Sequence, residues 1–288
     1  MTPDFPESEI AALIRPHAGA VREIQRTPRG FSSDLAARVD AEKGRFFVKA
    51  IRNRAGGRVA SLARERLVNP YVQPLSPTLQ WYARNGEWLA LGFEWAEGRA
   101  AGLLPGSSDL PEVAKTVDSI SRIALPHPAR EWAETRWDRF VVREEDARLF
   151  RGDVLLHTDI HPSNFIMGGR RTWVVDWAWP TRGAGFIDPA LLVVQLISAG
   201  HSPAEAEGWA ARCAAWGGAD QRAVDAFAAA TLRMYRAFSR RKPDESWLMD
   251  MARACEAWAD HRGVEVPPGG PRGVGPSGRE QGIAAKFR

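Results

Sequence analysis

The sequence feature that most constrains the fold is a strand-and-loop region between residues 154 and 177. It begins with an apolar run, Val154 to Leu156, which predicts a strand and brings Asp159 just beyond the end of that strand. Asp159 and Asn164 are five residues apart in a loop that Pro162 stiffens. The pattern therefore predicts a buried strand that ends in a loop holding a carboxylate and an amide.

A hairpin is predicted directly after this loop. Its strands are expected at Phe165 to Met167 and at Thr172 to Val175, and the turn between them contains two glycines. Because a hairpin returns the chain on itself, Asp176 is expected beside Asn164. Two carboxylates and one amide oxygen would then converge, and oxygen donors of this kind suit Mg²⁺, which binds through one or two carboxylates and phosphate.

This arrangement resembles the catalytic and metal loops of the protein-kinase-like fold, and most closely the aminoglycoside phosphotransferase family, which is related to choline and homoserine kinases. The family pattern is His-x-Asp-x-x-x-x-Asn, a hairpin, and then Asp followed by an aromatic residue. The matching segments are His157-Thr-Asp159-Ile-His-Pro-Ser-Asn164 and Asp176-Trp177. The resemblance implies an α+β, protein-kinase-like bilobal fold, with a small antiparallel β-sheet and one helix in the N-lobe and a larger, mainly helical C-lobe.

The resemblance also implies an activity. The chain would transfer a phosphoryl group from ATP or GTP, with Mg²⁺, to a hydroxyl of a small molecule such as an aminoglycoside-like antibiotic, an amino alcohol or a sugar. Asp159 would be the catalytic base or would orient the acceptor hydroxyl, and Asn164 and Asp176 would hold Mg²⁺. His157 is expected to brace the loop, and His161 to make a loop contact rather than bind a metal.

A kinase-like N-lobe also needs a lysine on its third strand and a glutamate on the following helix. Lys49 lies in an apolar strand-like run, and Glu65 lies in a helix predicted over residues 58–67. Because a charge inside an apolar strand is costly unless it is paired, Lys49 and Glu65 are expected to pair and to clamp nucleotide phosphates. The alternatives are surface positions for both side chains, and the flanking Arg64 and Arg66 leave the register of Glu65 open.

Two further segments are candidates for nucleotide binding. Gly30, Ser32 and Ser33 form the expected turn over the phosphates, although the three-glycine pattern of protein kinases is absent and a plain hairpin turn remains open. Glu94 and Trp95 resemble the hinge whose backbone would bind adenine. The degenerate phosphate turn also motivates an alternative function, a catalytically silent ATP-binding module like a pseudokinase.

Helix boundaries are predicted from capping and breaking residues. A first helix is expected from Glu7 to Ile14 and is expected to stop at Pro16. Asp109 and Asp188 are each expected to cap the start of a helix. A capping box at residues 202–205 is expected to begin one continuous helix that ends at the two glycines at 217 and 218.

The expected organisation is an N-lobe over residues 1–95, a C-lobe over residues 96–262 and a disordered tail over residues 263–288. The net charge of +4 is spread along the chain, which is a weak basis for nucleic-acid binding. The absence of an 18-residue apolar run and of a signal-peptide pattern predicts no membrane association. A cytoplasmic protein that is a monomer or a weak dimer is expected, with a small-molecule hydroxyl acceptor as its partner.

Overall fold

The structure, a computed structural model, describes residues 7–27 and 33–267. The chain divides into two units, the first with its described part ending at Glu97 and the second starting at Gly98. This division lies close to the expected boundary at residue 95, and the assignment of the units as N-lobe and C-lobe stays a prediction. The tail predicted to be disordered covers residues 263–288, and its part from residue 268 onward lies outside the described residues.

The first unit contains a five-stranded antiparallel sheet and two helices. The strands are adjacent in the order β1-β2-β3-β5-β4. The elements are α1 (Glu7–Ala18), β1 (Val21–Arg26), β2 (Leu35–Ala41), β3 (Gly44–Arg52), α2 (Gly57–Val68), β4 (Leu79–Arg84) and β5 (Trp88–Glu94).

The alternation of side chains along β3 places its residues on two apolar faces. Val48 packs in the cluster that contains Ile14 of α1, and Ile51 packs in the cluster that contains Leu62 of α2. Because successive strand residues point to opposite faces, Lys49 shares the face of Ile51 and is directed toward α2. This alternation brings the one lysine of the strand to the helix that carries its expected partner.

The first helix continues past its predicted end. It was expected to stop before Pro16, yet α1 runs to Ala18 with Pro16 in its last turn. Pro16 has no N–H to donate, and the helix is closed beyond it by the N–H of Gly19, which donates to the carbonyl of Arg15 at 2.9 Å. Burial of Ala18 against the sheet holds the final turn in place.

The second unit is mainly helical and carries short strands. Three strands form one sheet in the order β6-β8-β9, and two form a β10-β7 pair. The strands are β6 (Arg99–Ala100), β7 (Val154–Leu156), β8 (Phe165–Met167), β9 (Thr172–Val174) and β10 (Thr181–Gly183). The helices are α3 (Leu110–Ser121), α4 (Ile187–Ser198), α5 (Pro203–Ala210), α6 (Ala214–Gly217), α7 (Gln221–Arg241) and α8 (Ser246–His261).

An aromatic cluster around Phe227 of α7 forms part of the core of the second unit. Its ring contacts the rings of Trp137, Phe150 and Phe186 at centroid distances of 4.8, 5.5 and 5.8 Å. Phe186 immediately precedes α4, and Phe150 precedes β7. The cluster therefore holds together the two elements that position the loop after β7.

The segment predicted as one helix after residue 202 is two helices. The capping box is present, because Ser202 Oγ accepts from the N–H of Glu205 and the Glu205 carboxylate accepts from the N–H of Ser202. However, α5 ends at Ala210, and Cys213 occupies the N-cap position of the short α6 without making a side-chain capping bond. The buried Cys213 thiol lies 3.5 Å from the carbonyl of Ala114 on α3, a contact distant in sequence that local patterns do not reveal.

Candidate active site

The loop after β7 is fixed by a buried carboxylate from α4. Asp188 accepts hydrogen bonds from the backbone N–H groups of His157 and Thr158, both at 2.8 Å. Burial raises the pKa of Asp188 to about 6, because the desolvation of the carboxylate outweighs the stabilisation by these two N–H groups. The carboxylate thus determines how the chain leaves β7 and enters the loop.

The prediction that Asp188 caps its helix is wrong. The N-cap of α4 is Phe186, which makes no side-chain capping bond, and Asp188 lies inside the first helical turn. Its two oxygens are occupied by the amides of His157 and Thr158, which lie 31 and 30 residues earlier in the chain. Local sequence cannot distinguish a capping aspartate from one that binds a distant loop.

The prediction that Asp109 caps α3 is correct for its position, because Asp109 is the N-cap residue, but its side chain makes no capping bond. It accepts instead from both terminal nitrogens of Arg99, at 2.5 and 2.8 Å, and from the N–H of Gly102 at 2.8 Å. The carboxylate therefore holds the segment after β6 against the start of α3.

His157 braces the loop, as the resemblance implies. Its Nδ1 accepts from the N–H of Asp159 at 3.3 Å, which leaves the proton on Nε2, and Nε2 donates to the carbonyl of Val175 at 3.0 Å. The buried imidazole also packs on Trp177 in a T-shaped arrangement, with ring centroids 4.7 Å apart. His161 makes a local contact, with Nδ1 2.7 Å from Ser163 Oγ.

Asn164 is bonded to Asp159 through its side chain. Its Nδ2 donates to the backbone carbonyl of Asp159 at 2.9 Å and to Asp159 Oδ2 at 2.8 Å. Because both partners are acceptors, the amide must present its nitrogen to them. The oxygen of Asn164 is therefore the atom that can bind a cation, and both side chains are buried.

The backbone just before Asp176 lies against Asn164, as the predicted hairpin requires. β8 and β9 pair with Phe165 opposite Val174, and the next N–H, that of Val175, donates to the carbonyl of Asn164 at 2.9 Å. Asp176 follows immediately and has a φ of 63°, a left-handed conformation that is uncommon for residues other than glycine. The backbone thus turns sharply at the residue predicted to bind the metal.

The donor chemistry of this cluster fits Mg²⁺. Asp176 offers a carboxylate and Asn164 an oriented amide, while Asp159 offers a second carboxylate in the same loop. Oxygen-only donor sets of this size match magnesium, which keeps several water ligands. Across residues 7–27 and 33–267, no group of three or more His, Cys, Asp or Glu residues is arranged to hold a metal ion.

In the first unit, Lys49 and Glu65 form the ion pair that the sequence predicts. Lys49 Nζ lies 2.6 Å from Glu65 Oε1, and both side chains are buried. The register of α2 is settled, because Glu65 faces the sheet whereas Arg66 is exposed and lies over the Tyr82 ring at 4.6 Å. The binding of nucleotide phosphates by this pair stays a prediction.

The predicted hinge residues lie at the end of β5. Glu94 is the last residue of that strand, and its N–H donates to the carbonyl of Thr78 at 2.8 Å. Its carboxylate also accepts from the N–H of Thr78 at 3.3 Å. Trp95 follows the strand and is half-buried. Their contact with adenine stays a prediction.

The predicted phosphate turn is only partly described. Gly30 and Ser32 lie outside the described residues, and Ser33 is half-buried just before β2. The neighbouring Asp34, which sequence reasoning missed, accepts from the N–H of Arg52 at 2.7 Å and from Arg58 Nη1 at 2.9 Å. It therefore ties the end of the turn to β3 and to the first turn of α2.

The elements of the two units define the fold of protein-kinase-like phosphotransferases. The chain is similar to the choline kinase LicA from Streptococcus pneumoniae, with a TM-score of 0.62 and 12% identity over 88% of this chain and 99% of that one. It is also similar to an aminoglycoside phosphotransferase from Alicyclobacillus acidocaldarius, with a TM-score of 0.56 and 14% identity over 88% and 92% of the two chains.

A third similar structure is a thermostable mutant of an aminoglycoside phosphotransferase in a ternary complex with ADP and hygromycin B. Its TM-score is 0.58, with 12% identity over 90% of this chain and 100% of that one. At these identities the likeness establishes the fold, so the predicted fold class is confirmed. Searches with protein-family models and among curated proteins give no match.

In the part of the chain that the structure describes, no helix combines the length and apolar character needed to span a membrane.

Proposed function

We propose that the protein is a small-molecule kinase that transfers a phosphoryl group from ATP, with Mg²⁺, to a hydroxyl of its substrate. One observation carries the proposal. The side chain of Asn164 donates a hydrogen bond to Asp159 Oδ2, while the backbone carbonyl of Asn164 accepts one from the N–H of Val175, the residue before Asp176. The similar structures support it, since their names describe kinases and phosphotransferases of small molecules, one of them with ADP bound.

Asp159 is proposed as the group that orients the acceptor hydroxyl and accepts its proton. Asn164 holds Asp159 Oδ2 at 2.8 Å, and the loop backbone is fixed through the bonds of Asp188 to His157 and Thr158. A carboxylate held in this way does not have to reorganise when the hydroxyl attacks. In phosphoryl transfer the protein mainly positions groups and stabilises charge, so a rigid loop of this kind is suited to the reaction.

Asn164 and Asp176 are proposed to bind Mg²⁺. The bound ion would neutralise negative charge on the phosphate oxygens. The hydrogen bonds from Asn164 Nδ2 to Asp159 direct the amide oxygen away from that residue, and the left-handed backbone at Asp176 sets the direction of its side chain. Both ligands are therefore oriented by the chain before any cation binds.

Lys49 is proposed to bind phosphate oxygens of the nucleotide. Its ammonium group lies 2.6 Å from Glu65 Oε1, so a buried charge in a largely apolar strand has a partner of opposite charge. Ser33, together with Gly30 and Ser32, is proposed to contact the phosphates, and the backbone at Glu94 and Trp95 is proposed to bind adenine. ATP is the proposed nucleotide, with GTP as the alternative to be compared.

An acceptor screen read out by ADP release tests this function. Purified protein would be incubated with Mg²⁺ and ATP or GTP, and with a panel of aminoglycosides, macrolides, amino alcohols and sugars. The proposal expects ADP release that depends on both Mg²⁺ and one class of hydroxyl compound. Nucleotide binding without turnover on any acceptor would favour the catalytically silent module, and an absence of nucleotide binding would overturn both functions.

A further inference from the structure

Thr158, which separates His157 from Asp159, has an unusual backbone conformation. Its φ is 64°, and the residue is buried. A β-branched residue is disfavoured in this left-handed region because its side chain crowds the backbone, whereas glycine adopts the same angle without strain. Such a conformation persists only where surrounding contacts fix it, so the threonine side chain should provide a contact that glycine cannot.

Three hydrogen bonds hold Thr158 in this conformation. Its N–H donates to Asp188 Oδ1 at 2.8 Å. Its hydroxyl lies 2.6 Å from the carbonyl of His157 and 3.1 Å from the carbonyl of Trp179, so one proton is shared between two carbonyls. The bond to Asp188 uses only the backbone and would survive any substitution except proline. The bond to Trp179 depends on the hydroxyl.

The hydroxyl bond gives the segment that carries Asp176 a second attachment to the catalytic loop. The first attachment precedes Asp176, where His157 Nε2 donates to the carbonyl of Val175 at 3.0 Å. The second follows it, where Thr158 Oγ1 donates to the carbonyl of Trp179 at 3.1 Å. Residues 175–179 are therefore held at both ends, and Asp176 lies between the two attachments.

We propose that Thr158 is a positioning residue whose hydroxyl fixes the segment of Asp176 against the catalytic loop. The hydroxyl acts through the backbone of Trp179 and touches no reacting atom. Without it, the segment loses its hydrogen bond to the loop on the far side of Asp176 and keeps the one at Val175, so the direction of the Asp176 side chain is less restricted. The consequence for Mg²⁺ rests on the proposed function, whereas the restraint on the segment does not.

Hydrogen–deuterium exchange of the ligand-free protein tests the restraint directly. Thr158→Val keeps the branched shape but removes the hydroxyl, and Thr158→Ser restores it. The proposal expects amide exchange over residues 176–179 to rise at least about 5-fold in the valine variant and to return to the wild-type rate in the serine variant. Equal exchange in this segment for the wild type and the valine variant would overturn the proposal. If the valine variant does not fold, Thr158→Ala takes its place.

A control variant separates the local effect from a general effect of removing a buried hydroxyl. Thr231 is fully buried on α7, and its Oγ1 has no hydrogen-bond partner in the described part of the chain. Thr231→Val should leave exchange over residues 176–179 unchanged. A rise in this segment equal to that caused by Thr158→Val would contradict the specific attachment.

A magnesium titration tests the consequence for the site. The Mg²⁺ concentration giving half-maximal ATP binding should rise at least about 5-fold in Thr158→Val and remain at the wild-type value in Thr158→Ser and Thr231→Val. A purely structural role would lower the thermal stability of the valine variant but leave this concentration unchanged, and that result would overturn the positioning role. If the wild type binds no ATP, the proposed function fails, while the exchange measurement still decides whether Thr158 restrains the segment.

Discussion

The side-chain amide of Asn164 donates to both the backbone carbonyl and the Oδ2 atom of Asp159, at 2.9 and 2.8 Å. One residue therefore orients the proposed catalytic carboxylate and presents its own oxygen to the proposed cation. Both functions therefore depend on the orientation of the Asn164 side-chain amide. A substitution at Asn164 should thus affect both metal binding and turnover, whereas a substitution at Asp159 can separate them.

Asp159→Asn should reduce turnover by about 10²–10⁴-fold, because the amide cannot accept the proton of the acceptor hydroxyl. The new oxygen can still accept the bond from Asn164, so the thermal midpoint and the Kd for ATP should remain close to those of the wild type. The rate of ADP release with an active acceptor measures the effect. Unchanged turnover would remove Asp159 from its proposed role.

Lys49→Met should destabilise the protein by about 3–5 kcal/mol, because it removes one partner of a buried ion pair and leaves the carboxylate of Glu65 inside the protein. Urea unfolding measures the loss. Adding Glu65→Leu should restore most of the stability, since the buried charge is then gone. ATP binding should stay weakened in this double variant, and wild-type affinity there would show that Lys49 does not bind the nucleotide.

Gly92→Ala should destabilise the sheet of the first unit by about 1–3 kcal/mol through overpacking. A Cβ at Gly92 would lie 2.0 Å from the indole ring of Trp81, so the ring would have to move. Gly86→Ala is the matched control, because a Cβ there meets no atom within 4 Å. Equal unfolding free energies for the two variants would contradict the close packing of Trp81 on β5.

Asp109 should make a contribution to stability that depends on pH. Its hydrogen bonds from Arg99, aided by that from Gly102, lower its pKa from 3.8 to about 2, although desolvation opposes them. Because the pKa in the folded state is lowered, the contribution is complete above the unfolded pKa of 3.8 and is lost as the pH falls toward about 2.

Comparison with Asp109→Asn isolates this contribution. Urea unfolding at several pH values should give a wild type more stable than the variant at pH 7, with a difference that shrinks between pH 4 and pH 2. A difference that does not change with pH would show that the pairing with Arg99 contributes no charge-dependent stability.

The sequence predicted the parts of the site that depend on neighbouring residues. Asp159 and Asn164 are five residues apart in one loop, and the two-strand hairpin after them places Asp176 by its own register. The pairing of Lys49 with Glu65 was predicted from the family resemblance and from the cost of an unpaired charge in an apolar strand, with the register of Glu65 left open. The order of residues along the chain was enough to predict the hairpin, whereas the hold of Asp188 on the loop was not predicted.

The contacts that sequence reasoning missed join residues far apart in the chain. Asp188 lies in the first turn of its helix and Asp109 at the N-cap position, yet each carboxylate binds another segment in place of the backbone at the start of its own helix. Thr158 shows the same limit, since its hydroxyl partner Trp179 lies 21 residues later. Competition between a local cap and a distant partner depends on tertiary structure, which local patterns do not contain.

Calorimetric titration of the purified protein with ATP in the presence and absence of Mg²⁺ tests whether Asp176 is part of a magnesium-dependent nucleotide site. We expect binding that strengthens with Mg²⁺ in the wild type and loses this dependence in Asp176→Ala, while the thermal midpoint of that variant stays close to the wild-type value. An absence of detectable binding at millimolar ATP with Mg²⁺, or an Asp176→Ala variant that keeps the full magnesium dependence, would contradict this expectation.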